Sequence, residues 1–242
     1  MAAGLEVTLD EFLAFAEQEP RIVGVVLTGS RGRGALTHAR SDWDLRVLVV
    51  DGEEAFAHSL DTAHGNELEI AAATVSAFRG SPEWDRYSYA HVKVPIDKLG
   101  GEVRRLVDER GHLTAVEARA CARASLDAYL NSLHRSLATS RFGLELESRL
   151  DACESASSLL AAIFAFEGRV RPFNKYLAWE LENHPLADWD GPELLVALEG
   201  VLTGDASAQQ ALFREVERRS RTRGFGDVVD GWGADVRGFR GG

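Results

Sequence analysis

Over the first 110 residues, apolar positions alternate between short β-type runs and helical patterns. An apolar, largely β-branched run at residues 22–27 stops at Gly29-Ser30, which predicts a buried strand that ends in a tight turn. Apolar runs and alternating patterns of this kind predict four strands in all, at about residues 21–28, 42–50, 67–74 and 87–94. Two helices are predicted on either side of these strands: one opens at a Thr8 capping box before the first strand, and the other follows the fourth strand, from about Pro95 to Arg110.

From Thr114 onward the strand patterns stop and helical patterns follow one another. A capping box at Thr114 opens a helix with a buried stripe, and a further helix is predicted to begin at Pro172. The long helix between them is predicted to bury Leu146, Leu150, Cys153, Leu159, Leu160, Ile163 and Phe164. The sequence therefore predicts an α+β protein: an N-terminal domain (residues 1–112) with a mixed sheet flanked by helices, and an all-helical C-terminal domain (residues 113–242).

Charge narrows the classes of partner. A net charge of −11 over 242 residues argues against broad binding to nucleic acid, which depends on Lys and Arg. No apolar run approaches the roughly 20 residues that span a membrane, and the N-terminal residues lack an export signal, so we expect a cytoplasmic protein without a membrane partner. Basic residues do cluster around Gly29-Ser30, and we expect at least one to contact phosphate: Arg21, Arg31, Arg33, His38, Arg40 and Arg46.

Two carboxylates, Asp42 and Asp44, open the second predicted strand, and their spacing places them on one face of it. Together with a carboxylate from the third strand they would make an acidic pocket that needs cations. Mg²⁺ suits carboxylate oxygens and leaves coordination positions for phosphate. The turn at Gly29-Ser30 offers backbone N–H groups and a hydroxyl to the phosphates themselves.

The order of strand, Gly29-Ser30, Arg/Gly loop, Asp42-x-Asp44, apolar strand and Leu68-Glu69-Ile70 resembles the polymerase-beta-like nucleotidyltransferase superfamily. The resemblance implies that Gly29 and Ser30 bind the terminal phosphates of a nucleotide and that Asp42 and Asp44 bind two Mg²⁺ ions. It makes Glu69 a third metal ligand and the general base. Glu67 lies on the same predicted face and is the alternative third carboxylate, unless it forms a cross-strand salt bridge, for instance to Arg46.

A catalytic domain followed by a helical domain is similar to the aminoglycoside nucleotidyltransferases. This resemblance implies transfer of AMP from ATP to a hydroxyl of a small molecule, and a role in antibiotic resistance. In the helical domain, a basic and aromatic helix start supplies further nucleotide-binding candidates beside Arg33, namely Arg171, Lys175 and Tyr176. The other interpretation of that segment is an ordinary solvated helix start with Tyr176 in the core.

Two other functions remain open from the sequence. Residues 29–34 also resemble the glycine-rich loop of minimal nucleotidyltransferase antitoxins, which modify a partner toxin. A non-catalytic, nucleotide-binding regulatory module is the third hypothesis. Near the fourth predicted strand, four residues either floor the acceptor site or pack in the core or at its rim, and the packing role is favoured: Trp84, Asp85, Tyr87 and Tyr89.

Overall fold

The computed structural model describes residues 7–39, 41–61 and 67–241 of the chain. The chain divides into two compact units, Met1–His112 and Leu113–Gly242. The first unit contains a four-stranded sheet and its helices: α1 Leu9–Gln18, β1 Ile22–Leu27, α2 Gly29–Arg33, β2 Trp43–Val49, α3 Glu54–Asp61, β3 Leu68–Thr74, α4 Val75–Arg79, a 3₁₀ helix Glu83–Tyr89, β4 Lys93–Asp97 and α5 Glu102–Gly111.

The strands of the sheet lie in the order β3-β2-β1-β4. β1 is antiparallel to both β2 and β4, whereas β2 and β3 are parallel, so the sheet is mixed. Helices flank it, which confirms the predicted α+β class. The register sets Asp44 of β2 directly beside Glu69 of β3.

Alternate residues of each central strand enter one of two apolar layers. One layer joins Val25, Leu45 and Ile70 to α1 and α3, and the other joins Val26 and Leu48 to α5 and the 3₁₀ helix. Asp44 alternates with Leu45 along β2, so its side chain lies on the α5 face of the sheet. The carboxylates of the predicted site therefore share a face with the 3₁₀ helix.

The fourth predicted strand is wrong. Residues 83–89 form a 3₁₀ helix, and β4 comes later, at Lys93–Asp97. Hydrogen bonds to a distant part of the chain hold the helix: its own Arg86 donates to the carbonyls of Glu109 and Arg110 at 3.1 and 3.0 Å. β4 contains Pro95, which an edge strand accepts because its outer backbone groups need no partner.

The second unit is helical: α6 Ala115–Ser140, α7 Glu145–Ala165, a 3₁₀ helix Asn174–Tyr176, α8 Leu177–Asn183, α9 Gly191–Leu202, α10 Ala206–Thr222, α11 Gly226–Asp230 and α12 Asp235–Arg240. Its core includes the predicted Leu159, Leu160, Ile163 and Phe164 of α7. None of the helices in the described ranges is both long enough and apolar enough to cross a membrane.

One part of the predicted stripe on α7 is wrong, because Leu146 and Leu150 are 67% and 58% exposed and Cys153 is exposed too. The buried face of that half of the helix carries small residues instead, among them Ser148, Ala152 and Ser155. Ser148 exchanges hydrogen bonds with Ser136 of α6, each hydroxyl donating to the other residue's carbonyl at 2.9–3.0 Å. Small side chains let the two helices approach closely here, and the leucines face outward.

Candidate functional site

The candidate site is centred on the turn between β1 and α2. Gly29 has a φ of +61°, and a Cβ built on it would lie 1.6 Å from the Oδ2 atom of Asp44. A side chain at this position would therefore require Asp44 to move, and the left-handed backbone also favours glycine. The absence of that side chain lets the Asp44 carboxylate lie directly against the backbone of the turn.

Backbone hydrogen bonds fix the position of Asp44. The Thr28 N–H donates to the Asp44 carbonyl at 2.8 Å, and the Thr28 hydroxyl donates to the same oxygen at 3.3 Å. Thr28 is buried and sits at the end of β1. The glycine turn and the start of β2 are thus held as one rigid piece.

Glu69 provides the second carboxylate. It is the register partner of Asp44 across the parallel β2–β3 pair, where neighbouring strands lie about 4.8 Å apart. Its neighbours Leu68 and Ile70 are buried on the opposite face, and Glu69 is exposed. The predicted pairing of a β2 aspartate with a β3 glutamate on one face is therefore present in the fold.

Asp42 and Glu67 occupy the residues just before β2 and β3, and both are exposed. Within residues 7–39, 41–61 and 67–241, neither they nor Glu69 makes an ion pair or a side-chain hydrogen bond. The expected salt bridge from Glu67 to Arg46 is wrong, since Arg46 pairs with Asp85. Carboxylate oxygens without cationic partners suit a hard divalent cation.

No set of three or more His, Cys, Asp or Glu side chains among the described residues stands at metal-holding spacing. The donors are nevertheless of the kind that Mg²⁺ prefers, because Asp44 and Glu69 offer carboxylate oxygens from adjacent strands. Asp42, two residues before Asp44, offers a further carboxylate. Two of these carboxylates are exposed, which leaves their side chains room to turn toward a cation.

Ser30 follows Gly29 in the turn and is half-buried. Its carbonyl accepts a hydrogen bond from the Ala35 N–H at 2.9 Å, which closes the loop behind it. Its hydroxyl has no hydrogen-bond partner in the described part of the chain. The hydroxyl is therefore available to a ligand.

Arg33 has a different environment from the one expected of a phosphate ligand. Its Nε donates to the Ala90 carbonyl at 3.0 Å, its Nη1 donates to the Gly29 carbonyl at 3.1 Å, and its Nη2 donates to the Tyr87 carbonyl. Its guanidinium carbon also lies 4.8 Å from the centre of the Tyr87 ring. The guanidinium thus joins the glycine turn to the 3₁₀ helix.

Arg33→Met is expected to lower the free energy of unfolding of the nucleotide-free protein by about 2 kcal/mol, since three carbonyls lose a charged donor. Urea unfolding measures the change. Arg79→Met is the matched control, because Arg79 only forms an exposed ion pair with Glu102 and such pairs contribute little. Equal stability of the Arg33 variant and the wild type would contradict the structural role.

The α5 face of the sheet also carries a polar cluster that the sequence patterns do not predict. Asp85 is only 8% exposed and accepts hydrogen bonds from the Ser88 hydroxyl at 2.6 Å and the Tyr89 hydroxyl at 3.1 Å. The Nη2 atom of Arg46 lies 4.0 Å from Asp85 Oδ1. Burial, followed by the negative charge of Asp85, raises the pKa of Tyr89 to about 12. The strand predicted over residues 87–94 concealed that positions 85 and 89 lie one helical turn apart.

The candidates from the helical unit lie around its first 3₁₀ helix. Lys175 is exposed, and its Nζ lies 4.8 Å from the centre of the Tyr176 ring, which is 1% exposed. Arg171 donates from Nη2 to the Asn174 side chain at 2.7 Å, and partial burial lowers the pKa of its guanidinium. Lys175 is thus the more accessible of the two cations.

Comparison with known proteins adds no family. No protein-family model matches the chain, and no curated protein matches it in sequence.

Proposed function

We propose that the chain is a magnesium-dependent nucleotidyltransferase of the cytoplasm that transfers a nucleoside monophosphate, AMP from ATP, to a hydroxyl of a small molecule. The observation that supports this most directly is the contact between the Asp44 carboxylate and the Gly29 backbone, with Glu69 beside Asp44 in the sheet. A turn suited to phosphates and a pair of metal-type carboxylates are thereby adjacent. Phosphoryl chemistry needs both in one place.

In the proposed reaction, the acceptor hydroxyl oxygen forms a bond to the α-phosphorus of the nucleotide. The bond from that phosphorus to the oxygen bridging to the β-phosphate breaks, and pyrophosphate leaves with the bonding electron pair. The hydroxyl proton passes to Glu69, which is exposed and able to accept it. Atoms and charge are conserved, and no oxidant or reductant is required.

Each of the chain's residues has a distinct part in this reaction. Gly29 exposes backbone where a phosphate can approach closely, and the Ser30 hydroxyl offers a donor. Asp42, Asp44 and Glu69 would hold two Mg²⁺ ions, which when bound neutralise charge on the attacking and leaving oxygens. Thr28 keeps Asp44 in register with the turn.

The test is transfer of label from ATP in the presence of Mg²⁺ to a panel of aminoglycosides, lincosamides and candidate proteins. Label at the α-phosphate should appear on an acceptor, and label at the γ-phosphate should be released as pyrophosphate. Transfer of γ-label instead would mean a kinase. Tight ATP binding without transfer to any acceptor would contradict the enzymatic proposal and favour a regulatory module.

An aminoglycoside acceptor would connect the activity to antibiotic resistance. Expression of the chain in a sensitive bacterium should then raise the inhibitory concentration of the modified compound. Label found only on a protein would identify instead the class of acceptor that antitoxin-type nucleotidyltransferases modify.

A further inference from the structure

The α5 face of the sheet also holds Arg46, an arginine that the structure leaves unsatisfied. Its Nε atom is buried and has no hydrogen-bond partner, and none of its guanidinium N–H groups donates to a residue that the structure describes. Its nearest charged neighbour is Asp85, at 4.0 Å, which is beyond hydrogen-bond distance. Among the donors of the guanidinium, the buried Nε costs stability as long as it has no acceptor.

Arg46 lies two residues beyond Asp44 on β2, so its side chain leaves the same face of the sheet. Its register partner on β3 is Ala71, whose small side chain leaves space beside Glu69 on the strand. The Arg46 side chain remains 34% exposed. Arg46 therefore lies on the same face of the sheet as the carboxylate pair, and its side chain is reachable from solvent.

The other arginines near the turn are occupied in the described structure. Arg33 donates to three backbone carbonyls. Arg31 donates from Nε to the Ser41 carbonyl at 2.6 Å and lies over the Trp43 ring. Arg46 thus differs from both in having its donors available.

Asp85 attracts the Arg46 guanidinium but accepts no hydrogen bond from it. Both carboxylate oxygens of Asp85 already accept hydroxyl hydrogen bonds, from Ser88 and Tyr89. Its charge attracts Arg46, while its geometry leaves the arginine's N–H groups for another acceptor. An oxygen-rich anion such as a phosphate fits that requirement, because guanidinium binds phosphate oxygens in a fork.

We propose that Arg46 binds the phosphate chain of the nucleotide, an assignment that rests on the proposed function. It supplies the positive charge and the donors that this acidic face needs in order to accept an anionic substrate. Arg33, the arginine that the sequence favoured for this role, instead holds the turn in shape.

The experiment compares binding of ATP, inorganic triphosphate and adenosine, with Mg²⁺ present, to the wild type, Arg46→Met and Arg46→Lys by equilibrium dialysis. Arg46→Met should weaken the affinity for ATP about ten- to a hundredfold, which is the effect of losing one hydrogen bond to a charged group. The affinity for inorganic triphosphate should fall by a similar factor, and adenosine should bind equally to all three proteins. Arg46→Lys keeps the positive charge but loses the forked pair of donors, so its affinity for ATP should lie between those of the wild type and Arg46→Met.

Arg79→Met is the matched control, because Arg79 follows β3 at its other end and pairs with Glu102. It should bind all three probes as the wild type does, and urea unfolding of each variant checks that it is folded. Should Arg46→Met fold poorly, Arg46→Lys carries the test. Unchanged ATP and triphosphate affinity in a folded Arg46 variant would overturn the assignment, whereas a wild-type protein that binds no ATP would overturn the proposed function itself.

Discussion

Asp44→Asn is expected to reduce transfer of labelled AMP about a hundredfold or more while leaving the protein folded. The change removes one negative charge from the carboxylate that touches the glycine turn but keeps nearly the same shape. If Asp44 binds a cation that stabilises the charge of the transition state, losing it costs several kcal/mol of that stabilisation. Free energy of unfolding should change by only about 1 kcal/mol, because the backbone bonds from Thr28 remain.

The measurement is the initial rate of label transfer at saturating ATP over a range of Mg²⁺ concentrations. Asp44→Asn should also require more Mg²⁺ for half-maximal rate, which a purely structural carboxylate would not affect. Glu67→Gln and Glu69→Gln form a matched control pair, since both residues are exposed and lie two positions apart. Only the Glu69 change should abolish transfer, and full activity of Asp44→Asn would refute the metal assignment.

The parts of the site that the sequence predicts are those encoded by neighbouring residues. The apolar run before Gly29-Ser30 and the Asp42-x-Asp44 spacing predict strand, turn and shared face without knowledge of the rest of the chain. The structure places β1, β2 and β3 where the pattern puts them, within two residues at each end. Local periodicity is sufficient here because both faces of these strands are buried or chemically distinct.

Prediction fails where distant side chains decide the backbone. Residues 87–94 alternate like a strand, yet residues 83–89 form a 3₁₀ helix because Arg86 donates to carbonyls of α5 and Arg33 donates to carbonyls at the helix end. Neither contact is visible from local spacing. As a result, the cluster of Arg46, Asp85 and Tyr89 emerges only from the fold.

The same limit applies to α7. Leu146 and Leu150 have helical core spacing, but the face that meets α6 is chosen by close approach of the two helices, which small residues allow. Spacing shows that a helix has an apolar stripe. It does not show which of two stripes a neighbouring helix covers, and here the serine and alanine stripe is buried.

Gly29→Ala is expected to lower the free energy of unfolding by about 2–4 kcal/mol and to abolish label transfer. A left-handed φ costs an alanine about 1 kcal/mol, and the new methyl group would overlap the Asp44 side chain, at 1.6 Å from Oδ2 and 2.5 Å from Cγ. Asp44 must move from the turn to relieve the overlap. Loss of stability and loss of activity therefore share one cause.

Gly34→Ala separates the two contributions to that cost. Gly34 has a φ of +70°, close to that of Gly29, but a Cβ there meets nothing within 4 Å. Gly34→Ala should therefore cost only the backbone contribution of about 1 kcal/mol and leave transfer intact. Urea unfolding of the two variants measures the difference, which is the energy of the overlap with Asp44.

A double-mutant cycle identifies the partner in the overlap. The three atoms nearest to the built Cβ of Gly29 all belong to the Asp44 side chain, and Asp44→Gly removes every one of them. In that background Gly29→Ala should cost no more than Gly34→Ala does, so the coupling energy should be about 1–3 kcal/mol. A coupling near zero would mean that the carboxylate does not lie against the turn, and the adjacency on which the proposed chemistry depends would be lost.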